Sequence, residues 1–82
     1  MPTIYREKGF QFFVYPNDHQ PAHVHVFHSD GEVKIDVSGS EPVPIGIYGK
    51  MGRKTVNKAL DIAELHLKKL QNGWEKFHGP IN

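Results

Sequence analysis

Cysteine is absent from the 82 residues, which excludes a disulfide framework and any thiolate metal site. No apolar run approaches the ~18 residues that a membrane-spanning helix requires. No basic-then-apolar leader opens the chain, so the expected location is cytoplasmic and no membrane partner is expected. Internal repeats and low-complexity linkers are missing too. A strong charge of either sign is lacking: ten Lys/Arg stand against nine Asp/Glu, for a net charge of +1. The strongly basic face expected of a dedicated nucleic-acid binder is therefore not announced. The length suits one small domain, residues 1–82, able to bury only about 60% of its unfolded surface. Sheet edges in so small a domain make a homodimer one expectation.

What charge there is lies unevenly. Residues 1–49 carry three Lys/Arg against six Asp/Glu, or −3, and residues 50–82 carry seven against three, or +4. Lys50, Arg53, Lys54 and Lys58 cluster where a helix start already disfavours cations. A bound anion such as a phosphate would account for that placement, as would a solvated, lysine-rich helix face.

The hydropathy pattern predicts an α+β fold: a three- or four-stranded antiparallel β-meander packed by one long amphipathic helix and a short C-terminal helical turn. Gly9 to Tyr15, His23 to His28 and Glu32 to Ser38 read as strands, with a further short edge strand at Pro44–Tyr48, where proline is tolerated. Asp30-Gly31 reads as a type I′ hairpin loop. That loop would set His28 opposite Val33, His25 opposite Asp36 and His23 opposite Ser38. One face would then carry Val24, Val26, His28, Val33, Ile35 and Val37, and the other His23, His25, Phe27, Lys34, Asp36 and Ser38. From Arg53 to Gln71 the apolar residues Val56, Leu60, Ala63, Leu67 and Leu70 recur at helical spacing. Asn72-Gly73 reads as the stop, followed by a last turn at Trp74–Phe77.

Chemistry concentrates in Asn17-Asp18-His19-Gln20-Pro21-Ala22-His23-Val24-His25-Val26. On a strand, His23 and His25 point to one side, roughly 7 Å apart at the backbone. Such a pair supplies two ligands for zinc or another divalent metal, with His19, Asp18 or Asp36 as a third or Asp36 as the group orienting His25. The same pair can divide acid and base roles against a phosphodiester, with Lys34 contacting the phosphate. Histidines on a half-exposed strand can also simply hydrogen-bond locally. His28, His66 and Trp74 read as packing residues and His78 as a surface residue.

Two better-known patterns are not met. The histidine-triad nucleotide hydrolases place a third histidine where Phe27 stands. The phosphate-binding spacing G-x-x-x-x-G-K-[ST] fails because five residues separate Gly46 from Gly52 and Arg53 precedes Lys54.

Met1-Pro2-Thr3-Ile4, Gly9-Phe10 with Phe12-Phe13, the His19-x-Pro21-x-His23-x-His25 run, Glu32-Val33-Lys34-Ile35, and then Leu65-His66 and Trp74 together give a pattern. It resembles the bacterial family called domain of unknown function 4160. The resemblance implies a small stand-alone protein, one half of a toxin–antitoxin-like pair with a cognate small partner protein, in which His19, His23 and His25 form the core and Asp18 and Pro21 shape the loop. The residues themselves leave two functions open. One is a nucleic-acid-directed or metal site on the histidine face; the other is a non-catalytic module that docks its partner protein through that face or a sheet edge.

Overall fold

The computed structural model describes residues 3–81, so Met1 and Pro2 of the family-like pattern lie outside the described residues. Five antiparallel strands form one sheet in sequence order: β1 (Thr3–Glu7), β2 (Phe10–Phe13), β3 (His23–His28), β4 (Gly31–Asp36) and β5 (Val43–Gly49). Two helices follow, α1 (Arg53–Leu65) and α2 (Leu67–His78). The α+β class and the meander agree with the sequence pattern; there are five strands rather than three or four, and two helices rather than one.

β1 escapes the alternation rule because its apolar residues, Ile4 and Tyr5, are adjacent. A bulge between Thr3 and Tyr5 takes Ile4 out of the ladder. Lys8 and Gly9, both with left-handed φ (+50° and +83°), join β1 to β2; left-handed φ at both loop positions is the requirement of a type I′ turn.

The β3–β4 hairpin keeps the expected faces but not the expected register. Its loop is Ser29-Asp30, so His28 pairs Gly31, Val26 pairs Val33, His25 pairs Lys34 and His23 pairs Asp36. Asp36 is therefore not across from His25. The shift is two residues, which preserves which side chains share a face. Gly31 serves close packing instead of the turn: a Cβ there would lie 2.6 Å from the Lys50 carbonyl oxygen. Ser29 takes the left-handed conformation, at φ +52°.

The core forms between the sheet and the helices. Phe12, Val24, Val26, Val33 and Ile35 of the sheet, with Val37 just past β4, meet Val56, Ala59, Ile62, Ala63, Leu70 and Trp74, while Leu60 and Leu67 of the expected stripe are partly buried against this cluster. The helix kinks at His66 (φ −118°, ψ 26°). There the imidazole Nε2 lies 3.0 Å from the Tyr5 hydroxyl and 3.2 Å from the Glu7 carboxylate. The hydrogen bonds from His66 N–H to Ile62 and from Leu70 N–H to His66 run across the kink. Asn72-Gly73 does not stop α2. Gly73 is buried inside it, because a Cβ there would meet Ile4 Cδ1 at 2.7 Å. The helix ends at Gly79, in left-handed φ, followed by Pro80. No helix among the described residues is long and apolar enough to cross a membrane.

Candidate metal centre

The sheet face turned away from the core carries His23, His25, Phe27, Glu32 and Lys34, and the segment after β2 folds back over one end of it. Asp18 is fixed within that segment by a local turn: its N–H donates to the Tyr15 carbonyl at 3.0 Å, and its carboxylate accepts from the Tyr15 N–H at 3.0 Å. The Gln20–Pro21 peptide bond is cis, and the chain then enters β3. The result is that both histidines are buried, at 7% and 6% exposure, not half-exposed.

Each ring is oriented by its Nδ1. His23 Nδ1–H donates to the Pro21 carbonyl at 2.8 Å, and His25 Nδ1–H donates to the Glu32 carboxylate at 2.8 Å. Both Nε2 atoms then face Asp18, His25 at 3.1 Å and His23 at 3.6 Å. One ligand atom from each of Asp18, His23 and His25 lies within 4.8 Å of the other two. Two carboxylates flank His25. The ring therefore either donates from both nitrogens as an imidazolium, or donates from Nδ1 alone and offers Nε2 to a cation. The second arrangement is that of metal-ligating histidines, whose outer N–H is given to a carboxylate or a backbone carbonyl.

Aromatic rings wall the cluster. Tyr15 packs on His25 at 4.5 Å between centroids, Trp74 lies 5.3 Å from His23, and His78 stacks on Trp74 at 3.9 Å. His78, expected at the surface, also donates from Nε2 to the Tyr15 carbonyl at 3.0 Å and so ties α2 to the covering segment. Burial pushes the Asp18 carboxyl up. The Tyr15 N–H, the hydrogen bond from His25 and the charges of His25 and His23 together outweigh it and hold the group below its ordinary value. Burial, with Glu32 and Asp18 nearby, raises the Tyr15 phenol.

A cavity of about 350 Å³ opens beside the cluster, lined by Asp18, His19, His23, Lys34 and Ile45 among others. His19 stands exposed at its rim and is not one of the three converging ligands, where Asp18 takes the third place. Lys34 lines the cavity, with its ammonium 5.7 Å over the Tyr48 ring. Asp36 is occupied locally, accepting from the Ser38 N–H at 2.8 Å and its hydroxyl at 2.6 Å. The orienting carboxylate is Glu32, which sequence reasoning missed because the hairpin loop was placed one residue too late. The exposed Lys50, Arg53 and Lys54 do not join the site. They follow the end of β5 that pairs with Gly31, whereas His23 and Asp36 sit at its Val43 end, about 20 Å away for a strand of this length.

The family model described as Domain of unknown function (DUF4160) matches residues 9–75. No curated protein and no solved structure matches the chain.

Proposed function

We propose that this chain, which belongs to the DUF4160 family, is a small divalent-metal protein whose Asp18–His23–His25 centre acts on phosphodiesters of nucleic acid within a toxin–antitoxin-type pair. One observation carries the metal reading. Both imidazoles give their Nδ1–H to fixed acceptors, Pro21 and Glu32, and turn Nε2 toward the same carboxylate. Two nitrogens and one carboxylate oxygen suit zinc or another first-row divalent ion, with coordination positions left for water and substrate.

The surroundings support an anionic substrate. Lys34 and the exposed His19 line the same cavity as Asp18 and His23 and can face a phosphate, while Ile45 supplies apolar contact. An ion in this set would lower the pKa of a bound water toward neutrality and offset the charge of a phosphoryl oxygen. A metal-free acid–base pair is less well supported: the rings are buried and their nitrogens already face Asp18, Glu32 and Pro21.

The test is metal content and Zn²⁺ titration of the untagged protein beside the His23→Ala/His25→Ala double variant, with cleavage of labelled single-stranded RNA and DNA followed in parallel. One ion per chain, lost in the double variant, is expected, with strand cleavage dependent on it. Absence of stoichiometric Zn²⁺, Mn²⁺ or Fe²⁺ binding would refute the metal reading. A metal-loaded protein that leaves both nucleic acids intact would refute the phosphodiester reading alone.

A further inference from the structure

β5 differs from every other strand of the sheet. It is one of two edge strands, hydrogen-bonded to β4 alone as β1 is to β2, so its outer backbone groups offer a template for one more strand. Unlike β1, which holds Arg6 and Glu7, it carries no charge. Natural edges are commonly protected by charged side chains, proline or bulges. β5 has Pro44 and a bulge toward its Val43 end, but residues 47–49 have neither and residues 43–49 contain no charge. Instead Val43, Ile45, Ile47 and Tyr48 are 51%, 48%, 53% and 49% exposed. Only two other large apolar side chains among the described residues, Leu65 and Phe77, are exposed. Single exposed apolar residues are ordinary; four within one seven-residue edge strand, Ile47 paired with the core-facing Val33 and Tyr48 with the outward Glu32, mark that edge as an interaction surface.

Immediately beyond β5 stand Lys50, Arg53 and Lys54, all exposed and none in an ion pair among the described residues. The first turn of α1 holds no acidic residue to balance them. We propose that β5 is the docking edge for an extended segment of a different, acidic protein. The segment has apolar residues at alternate positions and carboxylates at the end beside Gly49.

Self-association through the same edge fits less well. Antiparallel pairing about a two-fold axis at Gly46, the register that overlaps the whole strand, would set Pro44 of each copy opposite Tyr48 of the other and put two prolines into one ladder. The bulge at Ile45, where Lys34 pairs Gly46 but Ile35 pairs Pro44, would also enter that ladder twice, once from each copy. In that register residue 41 stands opposite residue 51, so each cluster of Lys50, Arg53 and Lys54 would meet one carboxylate of the second copy, Glu41. A regular strand from another chain meets these defects once, and its carboxylates answer the cations. Strand addition then supplies main-chain hydrogen bonds for affinity and alternate side-chain contacts for specificity. Because Ile45 and Lys34 also line the cavity beside Asp18 and His23, the docked segment would form a wall of that cavity.

The probe is a soluble peptide of alternating valine and threonine preceded by a run of aspartates, titrated into the ¹⁵N-labelled full chain; its control replaces the aspartates with lysines. Expected are amide shifts and slowed hydrogen exchange confined to residues 43–54, with affinity falling as salt rises. Ile45→Lys/Ile47→Lys and Lys50→Glu/Arg53→Glu should each weaken binding at least tenfold while β3 and β4 amides stay protected. Equal binding of the lysine peptide, or no response to the aspartate peptide, overturns the proposal. So does a concentration-dependent dimer that already protects β5 in the free protein.

Discussion

Glu32→Gln is the sharpest perturbation of the proposed centre, because it alters the metal environment without removing a ligand. The carboxylate accepts from His25 Nδ1 at 2.8 Å and its side chain is 23% exposed, so the amide can be accommodated in the same place. Two effects act in one direction. The amide loses the negative charge that accepts the Nδ1 proton, and its orientation no longer fixes which nitrogen carries that proton. Loss of such an outer partner weakens metal affinity by about 10–100-fold, or about 1.4–2.8 kcal/mol. The equivalent support of His23 is the Pro21 carbonyl, which no side-chain change removes, so Glu32 is the one outer acceptor open to this experiment. Competition with a chromophoric Zn²⁺ chelator reads the affinity, and Asp36→Asn is the control. Among the described residues the Asp36 carboxylate bonds only to Ser38, and Asp36 faces His23 across the ladder, so its variant should bind as the parent does. Unchanged affinity in Glu32→Gln, or a loss in Asp36→Asn instead, would refute both the hairpin register and the orienting role.

Two further outcomes follow from the packing and the charges. Asp18 titrates below its ordinary value in the folded protein, so between the two values the unfolded chain binds more protons and stability rises with pH. Stability should therefore fall as pH drops from about 5 through the folded value, and Asp18→Asn should flatten that part of a urea-unfolding pH series; an unaltered slope would remove Asp18 from the charge network. Gly73→Ala gains about 1 kcal/mol of helix propensity but sets a Cβ 2.7 Å from Ile4 Cδ1 and 3.2 Å from Ile4 Cβ, an overpacking of about 1–3 kcal/mol. Net destabilisation, relieved by adding Ile4→Ala, is expected in thermal unfolding, and a stabilised Gly73→Ala would show that β1 and α2 are not in close contact.

The face assignments of β3 and β4 were legible because period-two alternation survives any even error in register: Val24, Val26, Val33 and Ile35 are inward under either loop. The pairing was not legible, because Asp30-Gly31 carries strong turn chemistry while Gly31 is needed for a different reason, the approach of Lys50 and Met51. That one substitution of reasons hid Glu32 and promoted Asp36. Asn72-Gly73 shows the same ambiguity. A glycine that admits a neighbouring strand and a glycine that ends a helix look alike until Ile4, some seventy positions earlier, is seen beside it. The histidine pair and Asp18 were legible as a cluster by proximity alone. Their burial was not, since it depends on the Tyr15–Asp18 turn and on Trp74 and His78 arriving from α2.

The cluster is poorly explained as a device for stability. Two imidazoles and two carboxylates, all at most 23% exposed, must be desolvated together, and such groups contribute less than apolar residues of the same volume would. A domain of this size is marginally stable, so such a penalty is a large fraction of its net stability. The Nδ1 hydrogen bonds alone would orient and satisfy each ring on one side. What packing does not require is the convergence of the remaining two Nε2 atoms and the Asp18 carboxylate on one point beside a cavity flanked by Lys34. A cation at that point would join the Tyr15–Ala22 segment to β3, and its binding free energy would add to the folding free energy. The same groups would then stabilise the fold when loaded and keep one open side for chemistry, which accounts for their burial, their orientation and their position at the cavity with a single cause.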